Sequence, residues 1–187
     1  MQHQLLRSTL AAGVLALSAA CATRPPMDDT MQMSTAAPIT DANIAAVVVA
    51  ANNADISYAQ VAMSKSQNDK IRGFAQTMID DHSGVNKAAV ELVTRLGVTP
   101  VDNGTSREIR DNASEKVSRW AMLSGMAFDS TYIASEVEYH KMVIGAMDTV
   151  LIPGATNAEL KATLVSVRPA FAAHLARAEE IKASMGY

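Results

Sequence analysis

Three histidines, His82, His140 and His174, and one acid, Asp55, stand where a helical hydrophobic pattern calls for apolar residues. Each falls in a different helical stretch, inside the stripe of residues spaced three and four apart. Glu136 lies four residues before His140, on the same helical face. Imidazoles and carboxylates turned into the core of a helical bundle are how such folds hold Zn, Fe or Mn. The competing reading is one or two buried hydrogen-bonded pairs, such as Asp55 with His82, that fix helix register. A dinuclear iron centre would need Glu-x-x-His on two helices. The residues three before the histidines are Ile79, Val137 and Phe171, which excludes that pattern. Asp55, His82, Glu136, His140 and His174 are therefore the candidate ligands of a single transition-metal ion.

Other chemistries lack their residues. There is no Gly-rich phosphate loop, no G-x-S-x-G elbow, no C-x-x-C and no H-E-x-x-H. The net charge of −3 argues against nucleic-acid binding. Arg107, Arg110, Lys116 and Arg119 are interleaved with Glu108, Asp111 and Glu115, as on an ordinary solvated helix face. Asp80 and Asp81, beside His82, are expected to face outward as a solvated edge. Trp120 is expected to close one end of the bundle.

The elements that must position these residues are helical. Hydrophobic residues make up 49% of the 187-residue chain but aromatics only 4%, so the core is built from Ala, Val, Leu, Ile and Met. That mix suits close helix packing, and no strand-like alternation competes with it. The first helix starts near Thr40 or Asp41, with Ile44, Val48, Ala51, Asp55, Tyr58 and Ala62 inward. A tight turn at residues 66–69 leads to the second, which carries Ile71, Phe74, Met78, His82, Val85, Ala89, Leu92 and Leu96 and stops at Gly97. A shorter helix follows a Thr105–Glu108 capping box. The third long helix runs from Phe128 to Val150 and ends at Pro153-Gly154. The fourth is capped by Thr156 with Glu159 and is expected to kink at Pro169. The expected architecture is an all-α, up-down-up-down four-helix bundle over residues 40–187, with an extra short helix before the third long one. In it Asp55 and His82 are level. Glu136 is level with His174, and His140 lies about 6 Å further along the axis.

The first twenty residues read as an export signal. Arg7 precedes an apolar run from Leu10 to Leu17, and Ser18-Ala19-Ala20 leads to Cys21, the chain's one cysteine. A lone cysteine after small residues resembles the lipobox of bacterial lipoproteins, which implies diacylglycerol on Cys21. Ser18 stands where that motif usually has Leu, and the alternative is cleavage after Ala20 or Ala22 to release a soluble protein. With Ala22 next, the lipoprotein reading places the protein at the outer membrane, facing the periplasm. Residues 22–39 read as a flexible linker. Its Met27, Met31 and Met33 have no His or Cys partners to support a copper site.

The segments F-A-x-x-M-I-x-D-H-S (Phe74–Ser83), F-D-x-x-Y-x-x-x-x-V-x-x-H (Phe128–His140) and A-H-L-x-x-A (Ala173–Ala178) resemble an exported bacterial family. It is catalogued as domain of unknown function 4142 and grouped with ferritin-like bundles. The resemblance spans about Asp41 to Ile181. It implies a helical bundle and export, with His82, Asp129, His140 and His174 as recurrent polar residues. In helix 1 the family tends to have Glu where this chain has Asp55. No enzymatic activity comes with the resemblance. The first expectation is thus an exported, lipid-anchored helical protein without an assignable reaction, in the manner of a stress or envelope-maintenance factor. The second is a mononuclear metal protein. A third, an adaptor offering a helical face, requires an exposed apolar patch.

Overall fold

The structure, a computed structural model, describes residues 38–186, and these are all-helical apart from their turns. Residues 1–37, on which the export reading, Cys21 and the three linker methionines fall, lie outside the described residues. No described helix is long and apolar enough to cross a membrane.

Helix α1 (Asp41–Lys65) opens on a capping box in which Thr40 and Asn43 satisfy each other's backbone N–H groups. Asn68 caps α2 (Asp69–Leu96), which ends at Gly97 with φ of 65°, a left-handed conformation that glycine adopts without steric cost. The next helix, α3 (Gly104–Trp120), is capped by Asn103 with Ser106 rather than by Thr105 with Glu108. Helix α4 (Gly125–Ala146) does not stop before Pro153. It continues through a π-helical turn, Met147–Leu151, into a last α turn, Ile152–Gly154. Proline has no N–H to give the ladder, and just before it the Ile152 N–H reaches back five residues to the Met147 carbonyl. Helix α5 (Ala158–Ser184) is capped by Asn157, because Thr156 is engaged with Asp41 instead. It runs on through Pro169, and the carbonyl that loses its partner belongs to exposed Val165.

Pairs of contacting residues fix the helix directions. Arg72 reaches the Met63 carbonyl and Asn86 reaches Asn53, so α1 and α2 are antiparallel. Asn103 lies beside Asn43, and Lys65 bonds the Ala121 carbonyl, so α3 runs parallel to α1. Lys65 also bonds the Leu123 carbonyl, and Tyr139 donates to the Ala51 carbonyl, which makes α4 antiparallel to α1. Asp148 pairs with Arg168 and Lys141 with Glu179, while Lys70 meets Ser184 and Arg95 meets Glu159. Helix α5 is therefore antiparallel to both α4 and α2.

Strict alternation of the four long helices is thus corrected to up, down, down, up. The reason is α3, which at 17 residues spans about 25 Å and carries the chain back along the bundle before α4 begins. It also covers the outer side of α1. That explains why α1 is buried over more than one stripe, with Ala45, Ala46, Val47, Ala50 and Ala54 inside as well. Trp120 is buried against Tyr58, Phe128 and Tyr132. Where α4 ends, a Cβ on Gly154 would stand 2.6 Å from the Ile39 side chain, so only glycine lets the two segments close.

Candidate metal centre

Asp55, His82, Glu136 and His140 are between 0% and 1% exposed, and His174 is 7% exposed. All five predicted residues converge. Asp55 Oδ2 lies 3.0 Å from His82 Nε2 and 3.5 Å from His140 Nε2. His140 Nδ1 lies 3.6 Å from the Glu136 carboxylate. One ring nitrogen each from His82, His140 and His174 fall within 4.8 Å of one another, and so do donor atoms of Asp55, Glu136 and His140. The level of the α4 residues differs from expectation. Because the π turn delays the reversal to residues 155–157, His140 itself meets His174, with ring centroids 5.4 Å apart.

The outer nitrogen of every imidazole is tied to an acceptor. His82 Nδ1 donates to Asn52 Oδ1 at 2.7 Å, His140 Nδ1 to the Glu136 carbonyl at 3.0 Å, and His174 Nε2 to Asp81 Oδ2 at 2.8 Å. A neutral imidazole with one nitrogen protonated presents a bare lone pair on the other. Those inner nitrogens, His82 Nε2, His140 Nε2 and His174 Nδ1, are buried without a hydrogen-bond partner, as are both oxygens of Asp55 and of Glu136. With both rings neutral, Asp55 Oδ2 faces two imidazole lone pairs at 3.0 and 3.5 Å. Lone pair against lone pair repels, and a cation between them removes the repulsion.

Burial raises the Asp55 carboxyl, but without a metal a proton on the His82 ring can bridge to it, and that contact, the charge of a protonated His82 or His140 and a proton on Glu136 outweigh burial and hold the group below its usual range. Glu136 goes the other way: burial, then the neighbouring Asp55 charge, push it well above the usual carboxyl range. As carboxylates the two acids have no donor between them, and one proton on Glu136 supplies it. Burial lowers His140 and His174, against the pull of Asp55 on the first and of Asp81 on the second. The Tyr132 hydroxyl is buried beside Glu136 without closing a hydrogen bond, and burial raises it well above the phenol range.

Two residues of this site were not identified from the sequence. Asn52 is 1% exposed and sits one helical turn before Asp55, a spacing that could have revealed it. Asp81 was assigned to the solvated edge. Its side chain is half exposed, but the carboxylate turns in to hold His174, so the expectation stands for Asp80 and is corrected for Asp81. Lys116 is a second correction: it leaves the charged face of α3 to lie 4.8 Å over the Tyr58 ring, bonded to Ser135. Asp129 is buried but two turns before Glu136, about 10 Å along the axis and apart from the cluster.

The family model described as Domain of unknown function (DUF4142) matches residues 25–181. The chain belongs to the DUF4142 family. No curated protein and no solved structure matches it. The DUF4142 match includes Asp55, His82, Glu136, His140 and His174, so the histidine and carboxylate positions all belong to the shared domain.

Proposed function

We propose that this protein holds one first-row transition-metal ion through Asp55, His82, His140 and His174, with Glu136 beside it, in a bundle exported to the bacterial envelope. The observation that carries the metal is the set of three inner imidazole nitrogens and the Asp55 oxygens, buried together without a donor. The spacing suits an ion. Two ligands each about 2.1 Å from one metal are about 3.0 Å apart at a right angle and about 3.4 Å apart at the tetrahedral angle. The Asp55 contacts are 3.0 and 3.5 Å. The outer hydrogen bonds from Asn52, the Glu136 carbonyl and Asp81 are the kind that orient metal-bound histidines. The helix order, with one crossover between the second and third long helices, supports a ferritin-like bundle. That fold is an analogy for where a metal sits and names no reaction.

The test is metal analysis of the purified protein after chelation and re-addition of Zn²⁺, Mn²⁺, Fe²⁺ or Co²⁺. One equivalent bound, and lost in His82→Ala, is the expected result. No binding of any ion at any loading would leave protonated His82 paired with Asp55 as the account of the cluster, a purely structural one. Export and anchoring rest on the reading of residues 1–21. Labelling cells with a fatty-acid analogue tests them: label on the natural chain and none on Cys21→Ser is expected, and label persisting on Cys21→Ser rejects the anchor.

A further inference from the structure

A small cavity reaches the buried cluster at one point. It measures about 190 Å³, lies on the seam between α2 and α5, and is lined by Gly73, Phe74, Thr77 and Met78 from α2 and by His174 and Arg177 from α5. His174 is the cluster member with a face on this cavity, and its Nδ1 is buried without a partner. Phe74 in the same wall stands edge-on to His140, 6.5 Å between centroids. Position 73, a glycine, puts no side chain into the mouth of this cavity. Gly73 is in mid-helix, where glycine costs about 1 kcal/mol against alanine. A Cβ placed there meets nothing within 4 Å, so packing does not require the glycine.

From this we infer that the Gly73–His174 cavity is the entry passage by which a small inorganic ligand of a few atoms reaches the metal. The inference rests on the metal reading above and specifies its ligand class. Pockets for organic ligands of ordinary size run from about 300 Å³ upward, and this one is smaller. The larger apolar cavity of about 410 Å³ between α1, α3 and α4 touches Tyr58, Lys116 and Tyr139 but none of the five cluster residues. It therefore offers no route for a bulkier substrate. Thr77 sits one turn from Gly73, and its hydroxyl is turned back to the Gly73 carbonyl. These two exposed positions form the outer end of the passage, and His174 forms the inner one.

The experiment loads the protein with Co²⁺ and follows the cobalt visible spectrum after mixing with azide, in the natural chain and in Gly73→Leu, Thr77→Leu and Gly84→Leu. Gly84 is exposed on the same helix but off the cavity, so Gly84→Leu controls for the gain in helix propensity. Azide is expected to perturb the natural protein and Gly84→Leu at the same rate. The rate should fall at least tenfold in Gly73→Leu and Thr77→Leu, with the starting spectrum unchanged. Equal rates in all four, or no azide response in a cobalt-loaded protein, overturns the passage and leaves the metal reading standing. Failure of the natural protein to take up cobalt or any of the other three ions overturns both.

Discussion

Asn52 accepts the Nδ1 proton of His82 at 2.7 Å, and in doing so decides which nitrogen His82 turns toward Asp55. The two residues lie on adjacent antiparallel helices, and both are almost fully buried. Removing the amide frees the ring to change tautomer and to rotate. Asn52→Ala is expected to bind Co²⁺ about 10–100-fold more weakly than the natural protein, the usual effect of losing an orienting partner. Isothermal titration measures it; an unchanged affinity would show that Asn52 does not orient the ligand.

Asp81 does the same for His174 from the exposed side of α2. Since its side chain is half exposed, the effect of Asp81→Ala should fall at the lower end, about tenfold. Competition with a fluorescent chelator reads the difference. Asp80→Ala, one residue away and bonded only to Gln76, is expected to leave affinity unchanged.

Glu136 is held protonated in the fold by burial and by the Asp55 charge, whereas in the unfolded chain it ionises near 4.5. The folded state thus holds a proton that the unfolded state gives up, and metal-free stability declines as pH rises above 4.5 toward the folded value. Glu136→Gln removes that decline. Its melting temperature without metal should exceed that of the natural protein at pH 7.5, by about 2–4 °C per kcal/mol relieved, and the gap should narrow as pH falls toward 5. A gap that is absent or widens on acidification contradicts a protonated Glu136.

His140 and His174 act in the opposite sense. Burial lowers both, so between roughly pH 7 and 5 the unfolded chain takes up protons that the folded chain refuses. In the Glu136→Gln background, where the opposing acid is gone, the metal-free melting temperature is expected to fall through that window. Thermal melts at half-unit intervals check it, and a flat profile would mean the two rings charge freely inside the fold.

Trp120 ties the crossover helix to the bundle, with its ring centroid 5.2 Å from that of Tyr58 and 5.9 Å from that of Tyr132. Trp120→Ala should cost about 3–5 kcal/mol, the usual loss for a large core aromatic. Chemical denaturation followed by circular dichroism measures it. A loss under 1 kcal/mol would mean α3 packs without its anchor.

The helices and their inward faces were legible in the sequence because local rules decide them. The spacing of apolar residues marks a helical face, and Gly97 supplied a left-handed stop wherever the chain went next. Counting from the turn near residue 68 placed Asp55 level with His82, since a three-residue connection leaves no other register. The same count failed for α4 and α5. The helix that continues through a π turn to Gly154 moved the reversal about two residues on and set His140, not Glu136, against His174.

The sequence by itself determined the helices, the polar residue each turns inward and the absence of a dinuclear iron pattern. Tertiary structure alone decided the direction of α4, because nothing local in residues 104–120 reveals that α3 climbs the bundle and resets the chain at its far end. It also decided the roles of Asp81 and Lys116. A charged side chain looks the same in sequence whether it meets water or a neighbour, and only the packing of α5 against α2 and of α3 against α1 supplied His174 for one and the Tyr58 ring for the other.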